Sequence, residues 1–253
     1  CDYVLHCASN THPKSYASDP IGTIMTNIAG TQHILDYAVK ANSEKVLFLS
    51  TVEIYGENRG DVDKFTEDYC GYIDCNTLRA GYPEGKRASE SLCQAYIQKY
   101  GIDVVIPRIS RTFGPTMLLS DSKASSQFIM NAVHKENIVL KSAGTQLYSY
   151  AYVADIASAL LFLLVKGQTG EAYNVSNEHC DITLRTFAET LANVAGTKVI
   201  HGEATAQEKQ GFSKATKALL DNQKIYALGW RPLFDSMEEP LKHTIKILEG
   251  SGN

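Results

Sequence analysis

The chain has 253 residues, 44% hydrophobic and 21% charged, with a formal net charge of −4. That is enough chain for one substantial core with a smaller lobe, in a composition ordinary for a soluble globular protein. No Lys/Arg-rich run or basic stripe is present, so nucleic acid is excluded as a partner. The longest apolar stretch, Ile156–Val165, falls well short of the ~20 residues needed to span a bilayer, and no membrane association is expected. The sequence opens in an apolar run without a charged leader, which argues against a secretory signal. Its cysteines, Cys1, Cys7, Cys70, Cys75, Cys93 and Cys180, form no Cys-x-x-Cys pair. Scattered in this way they read as reduced thiols of a cytoplasmic protein, with no disulfide framework and no metal site.

In chain order, short apolar runs alternate with helical patterns, the signature of a parallel α/β sheet. Tyr3–Cys7 is a buried strand and Ser9–Asp19 a polar connection. Pro20–Ala41 is a helix whose apolar face is drawn by Ile24, Ile28, Ile34, Leu35 and Ala38. Val46–Leu49 is a second buried strand, delivering Ser50 and Thr51 to its C-terminal end, where ligands of open α/β sheets bind. Gly56–Gly81 is a long irregular stretch, a length that usually signals function. Pro83–Tyr100 is an amphipathic helix through Ala88, Leu92, Ala95 and Tyr96. The strand Asp103–Arg108 and the turn Phe113–Pro115 follow. Beyond Thr116 the alternation loosens: helices over Ser125–His134, Asp155–Lys166, Thr183–Val194, Lys214–Leu228 and Pro240–Leu248, strands over Asn137–Lys141, Tyr150–Val153 and Glu171–Val175. Asp181 or Thr183 would cap the helix at 183.

Tyr82 and Lys86 lie one helical turn apart, on one face at the start of a helix. A free phenol titrates near pH ~10, too high for a useful base at neutrality. An ammonium beside it would favour phenolate and bring it into range for proton transfer. A hydroxyl at a nearby strand end, such as Thr51, could orient the substrate oxygen. The same spacing also describes a plain surface pair on a helix, so the surrounding motifs decide its meaning.

Those motifs resemble the extended short-chain dehydrogenase/reductases, specifically the nucleotide-sugar epimerases and dehydratases. They run in family order: His6–Ser9 after a strand, Asn27–Thr31 in a helix, Leu49–Gly56, Tyr82-x-x-x-Lys86, Pro107–Arg108 with Phe113–Pro115, Tyr152–Asp155, and Leu228–Trp230. The resemblance implies a Rossmann-like doubly wound parallel sheet with NAD as cofactor and a nucleotide-diphosphate sugar as substrate. Residues 1–115, with returning segments near 137–180, would form the remainder of the NAD-binding domain. Residues 116–253 would be mainly a smaller α/β substrate lobe. By the same resemblance Thr51 would hydrogen-bond the sugar C4 oxygen and Tyr82 would take its proton, while Lys86 would hold the nicotinamide ribose. Ala8, Ser9 and Ser50 would line the cofactor, Asn27 would support the site, and the backbone from Pro107 to Ser110 would flank the nicotinamide. A homodimer built on the two helices Ile24–Ala41 and Pro83–Tyr100 is also implied.

Two departures from the family pattern bear on function. No Gly-rich pyrophosphate turn is present, and the chain starts at what resembles the family's fourth strand, as expected of a stretch of a longer protein. Where the 4,6-dehydratases carry Thr-Asp-Glu this chain has Thr51-Val52-Glu53, so the acid for departing water is lost and a candidate base, Glu53, is kept. The decarboxylase branch carries an arginine where Tyr148 stands, and a phenol cannot replace that fixed charge. Arg111 stands where many members have an asparagine, and would supply a phosphate or acid contact in its place. C4 epimerisation asks least of this set and is the first expectation. Dehydration, decarboxylation or keto-reduction are alternatives, as is a dinucleotide-binding sensor without turnover.

Overall fold

A computed structural model describes residues 1–11, 18–204 and 215–250. The first half contains β1 (Tyr3–His6), α1 (Pro20–Ala41), β2 (Lys45–Phe48), β3 (Ser50–Thr51), α2 (Gly81–Tyr100) and β4 (Val104–Ile109). The second half contains β5 (Arg111–Phe113), α3 (Ala124–Val133), β6 (Ile138–Leu140), β7 (Leu147–Tyr152), α4 (Val153–Lys166) and β8 (Ala172–Val175). It continues with β9 (Asn177–Thr183), α5 (Leu184–Ala195), β10 (Val199–His201), β11 (Lys217–Ala218), α6 (Gln223–Leu228) and α7 (Glu238–Gly250).

β1, β2, β4 and β8 form a parallel sheet, with β3 pairing β4 in the same register as β2. β8 comes from the second half of the chain and returns to the far side of β4. Alternation along the strands supplies both faces of this sheet. Val46, Phe48, Val104 and Ile106 pack with Leu35, Cys93 and Tyr96 under α1 and α2. Leu47 and Val105 turn the other way, onto Ile156, Leu160 and Leu163 of α4. Burial on two sides is why these strands read as unbroken apolar runs. β1 at the edge is different: Tyr3 and Leu5 are about half exposed. A second sheet places β7 between β5 and β11, with β9 antiparallel to β7, and β6 pairs with β10. Among the described residues no helix is long and apolar enough to cross a membrane, and all six cysteines are free.

The structure corrects the expected helix faces. α1 buries Thr23, Asn27, Thr31, Leu35 and Ala38, leaving Ile24 outside the core. α2 buries Tyr82, Gly85, Lys86, Ser89, Cys93 and Tyr96, while Ala88 and Ala95 are exposed. The reason is a close polar contact between the two helices. A Cβ on Gly85 would stand 3.2 Å from Asn27 Cβ, and Ser89 Oγ donates to Asn27 O at 2.7 Å. Hydroxyls and an amide whose hydrogen bonds are met can be buried as cheaply as aliphatic groups. The helix expected over Lys214–Leu228 is a short strand, β11, followed by the six-residue helix α6, and Lys214 lies outside the described residues. β9 was not anticipated, since its residues Asn177–Thr183 are mostly polar.

The long stretch 56–81 is pinned rather than loose. Arg108 on β4 forms a bidentate pair with Glu90 of α2, Nε to Oε1 at 3.0 Å and Nη2 to Oε2 at 2.7 Å. Its Nη1 donates to the Tyr55 hydroxyl at 3.0 Å and to Glu67 O at 2.7 Å. Tyr55 donates on to Asn174 Oδ1 at 2.6 Å, and Asn174 Nδ2 donates to Phe65 O at 2.8 Å. The loop thus crosses β4 and β8 on a buried polar network. Glu90→Leu leaves the Arg108 charge buried and unpaired, and should cost about 3 kcal/mol, read as a fall in urea midpoint. The pair Arg108→Met/Glu90→Leu should recover part of that loss. Equal midpoints for Glu90→Leu and the unmodified chain would refute the pairing.

Candidate active site

Because the strands of the main sheet are parallel, their C-terminal ends share one edge, and several bring a hydroxyl there. Ser9 follows β1, Ser50 and Thr51 form β3, and Ser110 follows β4. Thr51 caps the 3-10 turn Val52–Tyr55, accepting from Glu53 N at 3.3 Å. α2 starts beside this edge, with Pro83 in its first turn where a missing N–H costs nothing. Tyr82 and Lys86 both face inward and are buried, 7% and 3% exposed.

The Thr51 hydroxyl lies near enough to the Tyr82 phenol to favour its ionised form. The phenol itself is pushed above its ordinary range, first by burial and then by the negative charge of Glu53; Thr51 and Arg79 act in the opposite direction. Lys86 follows one helical turn later. Its Nζ donates to Leu49 O at 2.7 Å and lies 4.7 Å from the centre of the Phe48 ring. Burial holds the Lys86 ammonium down to about 8. Lys86 is thus held at the C-terminal end of β2, on the same inward face of α2 as Tyr82.

Ser50 Oγ and Ser110 Oγ are buried without a hydrogen-bond partner. Unmet buried hydroxyls are rare enough to mark places where another group belongs. Ser9 Oγ donates to Asn27 Oδ1 at 2.8 Å, while Asn27 Nδ2 donates to Thr23 O at 2.9 Å. Asn27 is fully buried, so it braces the β1 end and does not line the crevice. Ala8 is exposed beside Ser9. Pro107 is buried within β4 in register with Tyr173, three residues before the strand-end Ser110.

Arg111 opens β5, and its guanidinium carbon lies 3.5 Å from the centre of the Tyr148 ring. The Tyr148 hydroxyl is engaged elsewhere, donating to Ala215 O at 2.9 Å. Tyr148 is thus a platform for Arg111, a cation–π contact that leaves the guanidinium edge available. Sequence reasoning missed Arg79, which lies in the 3-10 turn Leu78–Ala80 and pairs with Glu53, Nη2 to Oε1 at 3.0 Å. Irregular backbone carries no periodicity, and its only signal was position three residues before Tyr82. Val52, where the dehydratases carry their acid, is a core residue. Among the described residues no cluster of three or more His, Cys, Asp or Glu could hold a metal ion.

A parallel sheet covered on both faces, with a hydroxyl-lined C-terminal edge, defines a Rossmann-like α/β protein. The chain belongs to the NAD dependent epimerase/dehydratase family, whose model matches residues 1–176. UDP-glucuronic acid decarboxylase 1 of Xenopus tropicalis is 32% identical over 258 residues, covering 100% of this chain and 59% of the relative. UDP-glucuronic acid decarboxylase 6 of Arabidopsis thaliana is 32% identical over 237 residues, 91% of this chain and 65% of the relative. The chain thus spans about three fifths of the curated relatives it matches. Among solved structures, UDP-glucose 4-epimerase of Thermotoga maritima with UDP-glucose superposes with a TM-score of 0.86 at 23% identity, over 100% of this chain and 78% of that one. A dTDP-glucose 4,6-dehydratase of Streptomyces venezuelae with NAD bound gives 0.81 at 26% identity, over 97% and 72%.

The β1 end generates a pH prediction. His6 is 4% exposed, its Nε2 3.1 Å from Thr31 Oγ1. Burial, then the charge of Lys86, lowers its pKa from 6.5 to about 4. Between those values the unfolded chain binds a proton that the folded chain refuses, so stability falls as pH drops from about 6.5 to about 4 and then levels. The loss should approach about 3 kcal/mol. His6→Gln should flatten that acid limb in urea melts across the range; an unchanged limb would refute the assignment.

Proposed function

We propose that this chain carries the reacting half of an NAD-dependent enzyme that oxidises and re-reduces C4 of a nucleotide-diphosphate sugar, with 4-epimerisation the outcome that asks least of the site. The observation that carries it is the burial of Thr51 and Tyr82 at the C-terminal edge of the parallel sheet, the edge at which Ser50 and Ser110 hold unpartnered hydroxyls. The residues fit the nicotinamide end of the cofactor: Ser50 and Ser110 offer two buried hydroxyls that lack partners, and Lys86 of α2 an ammonium at the Leu49 carbonyl that precedes Ser50. Ala8, Ser9 and the backbone from Pro107 to Ser110 would complete that lining. NAD, when bound, supplies the acceptor and donor of hydride. Thr51 then orients the sugar C4 oxygen, and Tyr82 holds or returns its proton. With its pKa raised, the phenol is protonated at neutral pH, ready to act as the acid of the reductive half. Its use as a base needs further positive charge or hydrogen bonding at the oxygen.

A second reading, decarboxylation of a nucleotide sugar acid, is favoured by one contact: the Arg111 guanidinium on the Tyr148 ring sets a fixed charge beside position 148. The decarboxylases named above support the same reading. Loss of water is disfavoured, because buried Val52 cannot donate a proton. A sensor without turnover would have no use for a phenol placed against Thr51. Assembly as a homodimer through α1 and α2 is part of the proposal, since Ile21, Met25 and Tyr37 leave an apolar stripe outside the fold, 76%, 50% and 47% exposed. A cytoplasmic setting accords with six free thiols.

Tyr82→Phe in the full-length protein should lower turnover by roughly 10²- to 10⁴-fold with NAD affinity unchanged; full turnover would sink the catalytic assignment. A panel of UDP-, dTDP-, CDP- and GDP-sugars followed by product NMR should yield a C4 epimer. Carbon dioxide and a pentose product from a sugar acid, with KM raised about tenfold in Arg111→Gln, would instead establish the second reading.

A further inference from the structure

The second sheet holds two polar groups that the fold itself leaves unused. Arg111 and Tyr150 are partners in the parallel register of β5 and β7, so their side chains leave one face next to each other. The Arg111 guanidinium lies back over Tyr148, two residues before Tyr150, with its carbon 3.5 Å from the ring centre. It is half-buried and makes no ion pair or hydrogen bond with any described residue. Each of the other arginines holds a carboxylate or a backbone carbonyl. Tyr150 is 2% exposed, with the rings of Tyr148 and Phe187 centred 6.3 and 5.0 Å from its own. Its hydroxyl also meets no hydrogen-bond partner among the described residues. A cation drawn partly out of water without an anion is unfavourable, and so is a buried hydroxyl without a partner.

We propose that Arg111 and Tyr150 form one two-donor subsite for an anionic group of the substrate, with Tyr148 as the positioning residue that holds the guanidinium flat. The proposal rests on the nucleotide-sugar reading given above and adds to it a specificity-determining hydroxyl, that of Tyr150. Both groups donate: a guanidinium has no acceptor, and a phenol well below pH ~10 keeps its O–H. Two such donors on one face suit the paired oxygens of a carboxylate or a phosphate. The place fits as well. Ile109 of β4 pairs with Thr51 of β3, and Arg111 follows two residues later, about 7 Å along the strand. The Tyr148 hydroxyl donates to Ala215 O at 2.9 Å, which ties the platform and keeps that hydroxyl from competing for the anion. Arg111 supplies the charge on a flexible stem. Tyr150, locked in the core, supplies a donor that cannot follow a misplaced anion, and so sets where the anion must sit. On a nucleotide-diphosphate sugar the oxygens come either from the diphosphate or from a carboxylate on the sugar.

The test titrates the full-length protein, with NAD present, with UDP, UDP-glucose and UDP-glucuronic acid in a calorimeter. Arg111→Gln and Tyr150→Phe should each weaken the same ligand or ligands by about tenfold. Weakening confined to UDP-glucuronic acid identifies the sugar carboxylate as the anion; equal weakening of all three identifies the diphosphate. Arg111→Lys, which keeps the charge and loses the planar fork, should recover only part of the affinity. Tyr148→Leu should weaken the same ligands about fivefold, while Tyr148→Phe, which keeps the ring, should bind like the unmodified protein. In the Arg111→Gln background Tyr150→Phe should cost less than it does alone, because the two donors share one anion. Tyr150→Phe removes a single oxygen, and it carries the comparison should Arg111→Gln fail to fold. Affinities that ignore both substitutions, or a loss in Arg111→Gln with none in Tyr150→Phe, would overturn the subsite. Equal losses in Tyr148→Phe and Tyr148→Leu would overturn the positioning role. Failure of the unmodified protein to bind any of the three ligands would instead remove the nucleotide-sugar reading, and the subsite with it.

Discussion

Everything at the reactive edge depends on how closely α1 and α2 approach each other. Gly85 lets Asn27 come within a van der Waals contact that any side chain would disturb. Asn27 O then accepts from Ser89, and its amide oxygen accepts from Ser9 beyond β1. One buried amide thereby couples two helices and a strand end. With α2 held at that distance, the residues one turn and two turns before Ser89 have little choice of direction. Lys86 meets the Leu49 carbonyl and Tyr82 meets Thr51. The interhelical contact is polar because only short side chains allow it, and short side chains that can be buried here carry hydroxyls and an amide.

A second constraint sets the other wall of the site. Arg108, Tyr55 and Asn174 hold a long loop against β4 and β8, so that the turn carrying Glu53 is anchored at its far end. Gly56 closes that turn at φ 73°, where an added Cβ would come 2.3 Å from Tyr72 O. The loop is irregular in sequence because it follows a path of individual hydrogen bonds, not a repeating one. Its buried ionic pair contributes specificity of placement more than net stability, since both charges give up water to meet.

How legible the chain was follows from this division. β2 and β4 announced themselves, because burial on both faces leaves only apolar residues. The bounds of α1 were legible through Asp19, whose carboxylate accepts from Gly22 N, and Pro20 at the first turn. The buried faces of α1 and α2 were not, because counting aliphatic residues assigns the core to Ile24 and Ala88 while the contact is made by Thr23, Asn27 and Ser89. Thr51, Tyr82 and Lys86 were singled out through spacing and order, and the structure buries all three. Spacing shows that two side chains leave one helix face, and says nothing of where a four-carbon stem ends. β9 and Arg79 escaped for a common reason: each is placed by long-range partners that no local pattern encodes.

The same physics explains why the shared motif leaves the reaction open. In the proposed reaction Thr51 and Tyr82 would act on an oxygen, and an oxygen at C4 is common to epimerisation, decarboxylation and dehydration. What separates these outcomes is the charge that meets the rest of the sugar. In this chain one cation stands on an aromatic platform at β5 and β7, and another is paired with a carboxylate at the mouth of α2. Arg111 has no carboxylate partner shown against it, while Arg79 is committed to Glu53. An incoming anion would have to break an existing ion pair to use Arg79, but only to shed water to use Arg111. By that comparison the anion of the proposed substrate would meet Arg111 at the lower cost.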